Sequence, residues 1–230
     1  MEVRVFEWDG SEWIQLGDPF QGSGETGWTG RDVCLSHDGS HISIGADFVN
    51  GAGQWEGKAY VFQWENGQWN QLGSDIIMAP QMSLASSALS ADASKVALAS
   101  GDWATRVFAV ENVEWAQVGN DIPSEQQEDF SGFSVSLSSD GSSLAIGSPM
   151  AYYNGAARVF RLEDGAWGQT GSTFLGDIEP TYGLSARLGS CVSISGSGEK
   201  VALGAPYYNG QYCSESGGTF VHNTSLPGMY

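Results

Sequence analysis

Val159-Phe160-Arg161-Leu162-Glu163-Asp164-Gly165-Ala166-Trp167-Gly168-Gln169-Thr170-Gly171 is one of four copies of a single pattern. Trp-x-Gln-x-Gly recurs at Trp13/Gln15/Gly17, Trp69/Gln71/Gly73 and Trp115/Gln117/Gly119, each time seven residues after the Phe of a Val-Phe pair. The pairs stand at Val5-Phe6, Val61-Phe62, Val107-Phe108 and Val159-Phe160, so the period is 46 to 56 residues, and a degenerate fifth appears at Phe220-Val221. Recurrence at such a period means one supersecondary unit, copied and stacked.

Two further runs recur in phase. The first, strand A, reads Val33-Cys34-Leu35-Ser36, Ala88-Leu89-Ser90, Val135-Ser136-Leu137-Ser138 and Val192-Ser193-Ile194-Ser195. The second, strand B, reads Ile42-Ser43-Ile44-Gly45, Val96-Ala97-Leu98-Ala99, Leu144-Ala145-Ile146-Gly147 and Val201-Ala202-Leu203-Gly204. Strand C carries Val-Phe and strand D carries Trp-x-Gln-x-Gly. Alternation of period two, bounded by Gly, Asp and Ser, is the pattern of strands, and no useful helical pattern exists. An all-β chain follows, a β-propeller of four-stranded antiparallel blades. Repeat units run 3–57, 58–104, 105–156 and 157–217, with a partial unit 218–230, inside a single repeat domain. The count is four A, four B, five C and four D strands, about four blades plus extra terminal strands, and an incomplete ring is expected. In-phase Trp residues read as packing between blades, with the Gln two positions on pairing to backbone or a neighbouring blade.

Ser131-Gly132-Phe133-Ser134-Val135-Ser136-Leu137-Ser138, then Leu144-Ala145-Ile146-Gly147-Ser148-Pro149, then Gly155 to Val159-Phe160, resembles the FG-GAP repeat of integrin α-subunit propellers. Leu188-Gly189-Ser190-Cys191-Val192-Ser193-Ile194-Ser195, with Leu203-Gly204-Ala205-Pro206 and Gly218-Thr219-Phe220-Val221, resembles it equally well, and weaker matches extend over the whole chain. The resemblance implies a propeller and a recognition role, and with the Gly-rich, Lys-poor composition it points to an extracellular or cell-surface setting. Calcium-binding members of that family carry several carboxylates in the A–B loop, because a hard dication takes six to eight oxygens. Here each loop offers one acid, Asp38, Asp92, Asp140 or Glu199, so no metal site and no cofactor are expected; the Asp residues bond their own backbone in a turn.

Nine basic against 27 acidic residues give a formal charge of −18, a field that excludes nucleic acid and an anionic membrane surface. No apolar run is long enough to span a membrane, and the first residues lack the pattern of a signal peptide. Cys34 and Cys191 are read as equivalent buried strand A thiols, and Cys213 as a partner that could reach Cys191. Gly22-Ser23-Gly24-Glu25-Thr26-Gly27 formally contains G-x-G-x-x-G but opens no helix, so it is read as a loop. With only three histidines, no zinc triad or acyl-transfer set is visible, and no catalytic residue is assigned.

In an up-and-down blade the A–B and C–D turns emerge on one face of the disc, and the B–C and D–A connections on the other. The second set is long and holds the aromatic residues outside the repeat: Phe20, Trp28, Phe48, Trp55, Trp103, Phe130, Tyr152, Tyr153, Phe174, Tyr182, Tyr207 and Tyr208. Loops on a rigid scaffold are where binding concentrates, and Trp and Tyr are favoured anchors. The ligand-binding candidates are Trp28, Trp55, Trp103, Tyr152, Tyr153, Tyr207 and Tyr208. Phe48-Val49-Asn50-Gly51, Tyr152-Tyr153-Asn154-Gly155 and Tyr207-Tyr208-Asn209-Gly210 recur in B–C loops, so those tyrosines also have a structural reading, with Asn-Gly making the turn. The expected function is a noncatalytic module that binds a protein or glycan partner through the long-loop face. The alternatives are a carbohydrate-active hydrolase or lyase, using Asp129 with Asp177 or Glu179, and a structural fragment without a ligand.

Overall fold

The computed structural model describes residues 2–21, 28–49, 53–78, 83–101, 104–126, 128–176, 186–208 and 217–224, with the backbone alone at Trp28. Blade 1 runs A Trp28–Leu35, B His41–Val49, C Trp55–Glu65, D Gln68–Gln71. Blade 2 runs A Leu84–Leu89, B Lys95–Ser100, C Thr105–Glu111, D Glu114–Gln117. Blade 3 runs A Ser134–Leu137, B Ser143–Ser148, C Ala156–Glu163, D Ala166–Gln169. Blade 4 holds A Cys191–Ile194, B Lys200–Ala205 and C Gly218–Asn223. Each sheet is antiparallel, in the order A-B-C-D in blades 1 to 3 and A-B-C in blade 4, the order of a β-propeller blade. Ahead of them, Phe6–Trp8 and Trp13–Gln15 form the C and D strands of a preceding blade. No helix among the described residues is long and apolar enough to cross a membrane.

The Val-Phe register is the same in every copy: Phe6, Phe62, Phe108 and Phe160 stand opposite Gln15, Gln71, Gln117 and Gln169. Five residues beyond each Gln the chain folds back on strand C, pairing Phe20 with Val3, Ile76 with Ala59, Ile122 with Thr105 and Phe174 with Ala157. Phe20 and Phe174 therefore belong to the repeat rather than to irregular loops. The mixture of aromatic and aliphatic residues at that position hides its periodicity. Phe48 and Trp55 also leave the loops, because the B–C ladder of blade 1 runs on to Val49 opposite Trp55.

Strand B sorts its side chains between blades. Leu144 and Ile146 look back to blade 2, whereas Ala145 looks forward to blade 4. Forward positions must be small: a Cβ added to Gly45 would lie 2.3 Å from Leu84, and one on Gly147 only 2.0 Å from the Gly189 carbonyl. The core is therefore a series of thin apolar layers between sheets, worth about 25 cal/mol per Å² removed from water.

Trp-x-Gln-x-Gly is a latch. The indole N–H groups of Trp69, Trp115 and Trp167 donate to the carbonyls of Leu16, Leu72 and Val118 in the blade before, at 2.9, 2.8 and 3.0 Å. Their rings lie so close on Gly17, Gly73 and Gly119 that a Cβ there would come within 2.9, 2.8 and 2.7 Å. Gln15, Gln117 and Gln169 donate to the carbonyl two residues on, and Gln71 and Gln117 also reach Asp75 and Asp121. The Trp satisfies its one donor while filling the wide outer gap, as a buried indole must.

At the short-turn face Asp140 accepts from the Ser138 hydroxyl at 2.7 Å and the Ser142 N–H at 2.9 Å, and Asp38 does the same with Ser36 and Ser40. The Ser138 hydroxyl, with Ser142, holds the Asp140 carboxyl down to about 2. Backbone bonds link successive turns: His37 N–H to Ala91 O, Ala91 N–H to Ser139 O, and Ser139 N–H to Gly196 O.

The arc is open. Val33 and Leu35 of blade 1 are 51% and 50% exposed, whereas Val135 and Leu137, at the same positions of blade 3, are 8% exposed because blade 2 covers them. The cysteine reading fails. Cys34 stands opposite Ser43 but Cys191 opposite Gly204, two positions apart in the repeat, and Cys191 is exposed. Cys213, Gly22 to Gly27, and Tyr182 lie outside the described residues.

Candidate recognition face

Strand C delivers a basic residue to the long-loop end of each central blade. In blades 1 and 2, Lys58 meets Asp75 at 3.1 Å and Arg106 meets Asp121 at 2.8 Å, the acids standing four residues after the Gln. Blade 3 has Thr173 in that place, so Arg158 turns to blade 2. Its Nη2 donates to the Pro123 carbonyl at 2.9 Å and to the Ser131 hydroxyl at 3.1 Å, and its Nη1 lies 3.9 Å from Glu125 Oε1. Burial pushes the Arg158 guanidinium down, opposed by Glu125 and Asp129. Asp129, itself buried, accepts backbone N–H groups from Ser131 at 2.8 Å, Glu125 at 3.2 Å and Gln126 at 3.3 Å.

This ionic cluster anchors the aromatic loop. The Tyr152 hydroxyl donates to Glu125 Oε2 at 3.0 Å and its N–H to Gln126 Oε1 at 3.1 Å. The bond to Glu125 raises the Tyr152 phenol above its ordinary value. Tyr152 and Tyr153 are both left-handed, with φ 51° and 68°, and Tyr153 is left 91% exposed. Consecutive non-glycine residues in that region cost about 1 kcal/mol or more each, a strain that clusters at functional sites. Asn154-Gly155 does not make the expected hairpin turn. Asn154 (φ −113°) caps the short 3-10 turn Ala151–Tyr153, and Gly155 is needed because a Cβ would lie 2.3 Å from the Leu188 backbone.

One interface further on, the same positions are apolar. Phe130 and Arg187 match, both left-handed at φ 56° and 54°, and the Gly132 and Gly189 N–H groups bond the equivalent Gly147 and Gly204 carbonyls. That register puts Phe220 where blade 3 has Arg158, Leu188 where it has Ser131, and Ala186 where it has Asp129. A cavity of about 140 Å³ results, with Phe174, Tyr208 and His222 in its wall. The Phe174 and His222 rings lie 4.9 Å apart.

The candidate tyrosines divide. Tyr208 turns inward, edge-on to Phe220 at 5.2 Å, a packing role; Tyr207 stays out, with the Arg187 guanidinium 5.0 Å from its ring centre. Trp55 begins strand C of blade 1 and is partly exposed. Trp28 places its backbone opposite Asp47, while Trp103, Asp177 and Glu179 lie outside the described residues. Arg158, Glu125 and Arg187 were not among the candidates; the only advance signal was Arg immediately before Val-Phe at Arg4, Arg106 and Arg158. Among the described residues no group of three or more His, Cys, Asp or Glu is placed to hold a metal ion.

No family model and no curated protein matches the chain. Solved structures do match it. A putative 6-phosphogluconolactonase from Bacteroides uniformis superposes with a TM-score of 0.60 at 13% identity, over 97% of this chain and 64% of that one. The β-propeller domain of Cps50 (Swd1) from Myceliophteria thermophila does so with a TM-score of 0.57 at 10% identity, over 88% of this chain and 60% of that one. The chain thus spans less than two thirds of the length of either structure, and at such identities the likeness concerns the fold.

Proposed function

We propose that the chain is a noncatalytic recognition module of the FG-GAP, integrin α-subunit-like kind, taking a protein or glycan partner on its long-loop face in an extracellular or cell-surface setting. The observation that carries this reading is Tyr153, held almost wholly in water by a strained backbone that Glu125 and Gln126 fasten from the blade before. An exposed ring on an ordered loop offers contact area at small entropic cost. Tyr207, ordered beside Arg187, adds a second ring on the same face. Asp129 speaks against the hydrolase alternative, because its oxygens already accept three backbone N–H groups. The test is a glycan array and a partner pull-down with the wild type, with Tyr153→Ser/Tyr207→Ser, and with Val113→Ser, an exposed apolar residue on the opposite, short-turn face. Binding lost at least tenfold in the double variant and kept in Val113→Ser is expected. Equal binding by all three would remove the long-loop face as the site.

A further inference from the structure

Three components of the interblade contact are cut at the two ends of the arc, and the cut halves match. The backbone chain of the short turns stops with the Gly196 N–H at one end and the His37 carbonyl at the other. Val33 and Leu35 look backward, half exposed, while the forward face of blade 4 shows the small residues Ser193, Ala202 and Gly204 beside an exposed Val221. A Cβ on Gly204 would meet only Cys191 of its own sheet, at 3.4 Å, unlike Gly45 and Gly147. Trp13 is 67% exposed, and among the described residues no carbonyl receives its indole N–H and no strand D follows that would set a Trp on Gly171.

The strands are complementary as well. The N-terminal hairpin owns a C and a D strand but no A or B, and its inner edge pairs with no strand among the described residues. Blade 4 owns A and B, and the C strand Gly218–Asn223 is a poor one. None of its residues is buried, and His222 stands opposite Val201 where Phe108 and Phe160 stand opposite Val96 and Leu144. Arg4-Val5-Phe6, by contrast, repeats the Arg-Val-Phe of blades 2 and 3.

We propose that the chain assembles head to tail, the N-terminal hairpin of a second copy completing blade 4. Residues 3–8 take the edge of Lys200–Ala205 from Gly218–Asn223, with Val5 opposite Ala202 as Val107 is opposite Ala97 and Val159 opposite Ala145. The second copy's Val33 and Leu35 close on blade 4, its His37 carbonyl accepts from Gly196, and its Trp13 seats on Gly171 and donates to the Thr170 carbonyl. The occupant is a copy of this chain because the surface offered at one end is the one that the chain itself buries three times between its own blades. Such a contact is heterologous, since each copy uses a different face, and it joins strands by their backbones as well as by apolar area.

Sedimentation of the full chain over a wide concentration range provides the test. The weight-average mass is expected to rise with concentration, and the front variant Val33→Asp/Leu35→Asp and the back variant Ala202→Asp are each expected to stay monomeric, with thermal unfolding confirming that both fold. Mixed in equal amounts, the two variants should pair and stop at a dimer, because each keeps one intact face. In a Cys191→Ser/Cys213→Ser background, Val5→Cys chains mixed with Ala202→Cys chains should give an intermolecular disulfide. A wild type that stays monomeric throughout, a single-face variant that still dimerises with itself, or association without that disulfide would each overturn the proposal.

Discussion

The interface between blades 2 and 3 and the interface between blades 3 and 4 share a scaffold and differ at the rim. In the first, Arg158, Glu125, Asp129 and Ser131 bind one another and a tyrosine loop stands on them. In the second, Phe220, Leu188 and Ala186 leave an apolar cavity. Inside the rim the two agree: Leu144 and Ile146 pack back on one side as Val201 and Leu203 do on the other. The stacking fixes the inner and middle strands, while the loop end is free to carry charge or grease, so the chemistry of the rim can vary without disturbing the fold. Trp167 latches the first interface, and among the described residues no strand D does so for the second.

The largest expected effect follows from that last difference. Trp167→Ala should cost about 3–5 kcal/mol, because a 5% exposed ring and its hydrogen bond are lost, whereas Trp13→Ala should cost less than about 0.5 kcal/mol. Denaturant midpoints check both, and equal losses would break the latch. Asp129→Ala should cost about 3 kcal/mol by orphaning three N–H groups. It should also loosen the Tyr152 loop, visible as faster amide exchange there; unchanged exchange would separate the loop from the ionic rim. In the apolar interface Leu188→Ala should cost about 2–4 kcal/mol by enlarging the cavity, with no effect on the tyrosine loop.

The smallest effect concerns acid. Asp140 is held down to about 2 against 3.8 in an unfolded chain, so its contribution is complete above pH 3.8 and is lost as pH falls toward 2. Blade 4 has Ser197 at that turn position, where its hydroxyl makes three long contacts of 3.4 Å, to the Ser195 hydroxyl, to the Glu199 N–H and to the Glu199 carboxylate. Ser197→Asp, made together with Glu199→Ser so that no second carboxylate stands beside it, should therefore raise stability at pH 7 by about 0.5 kcal/mol over Glu199→Ser alone and lose that gain near pH 2. A gain that persists in acid would assign the effect to something other than the carboxylate.

Strands A to D, the turn aspartates and the Trp latch were legible because they recur in phase, and stacking leaves the same trace in every copy. The fold-back at Phe20, Ile76, Ile122 and Phe174 was not, since its side chain changes type from blade to blade. The cysteine reading went against the strand A pattern itself: with Val33-Cys34-Leu35 in phase with Val192-Ser193-Ile194, the regular pairing puts Cys191 in the place of Asp32 and Ser193 in that of Cys34. Tyr152 and Tyr153 were singled out as candidates for their ring chemistry, but the rim that orients them was not legible. Arg158 meets Ser131 and Pro123 across 27 and 35 residues, and only the stacked blades bring such distant residues together.

The claim on which all of this stands is that one interblade contact is copied along the chain and left incomplete at its front. Hydrogen exchange of the indole N–H groups, followed by NMR in dilute solution, tests it most directly. Trp69, Trp115 and Trp167, each bonded to a carbonyl of the blade before, should exchange slowly and together, and Trp13 should exchange at the rate of a free indole. Four indoles exchanging alike, or Trp13 among the slow ones, would contradict the account.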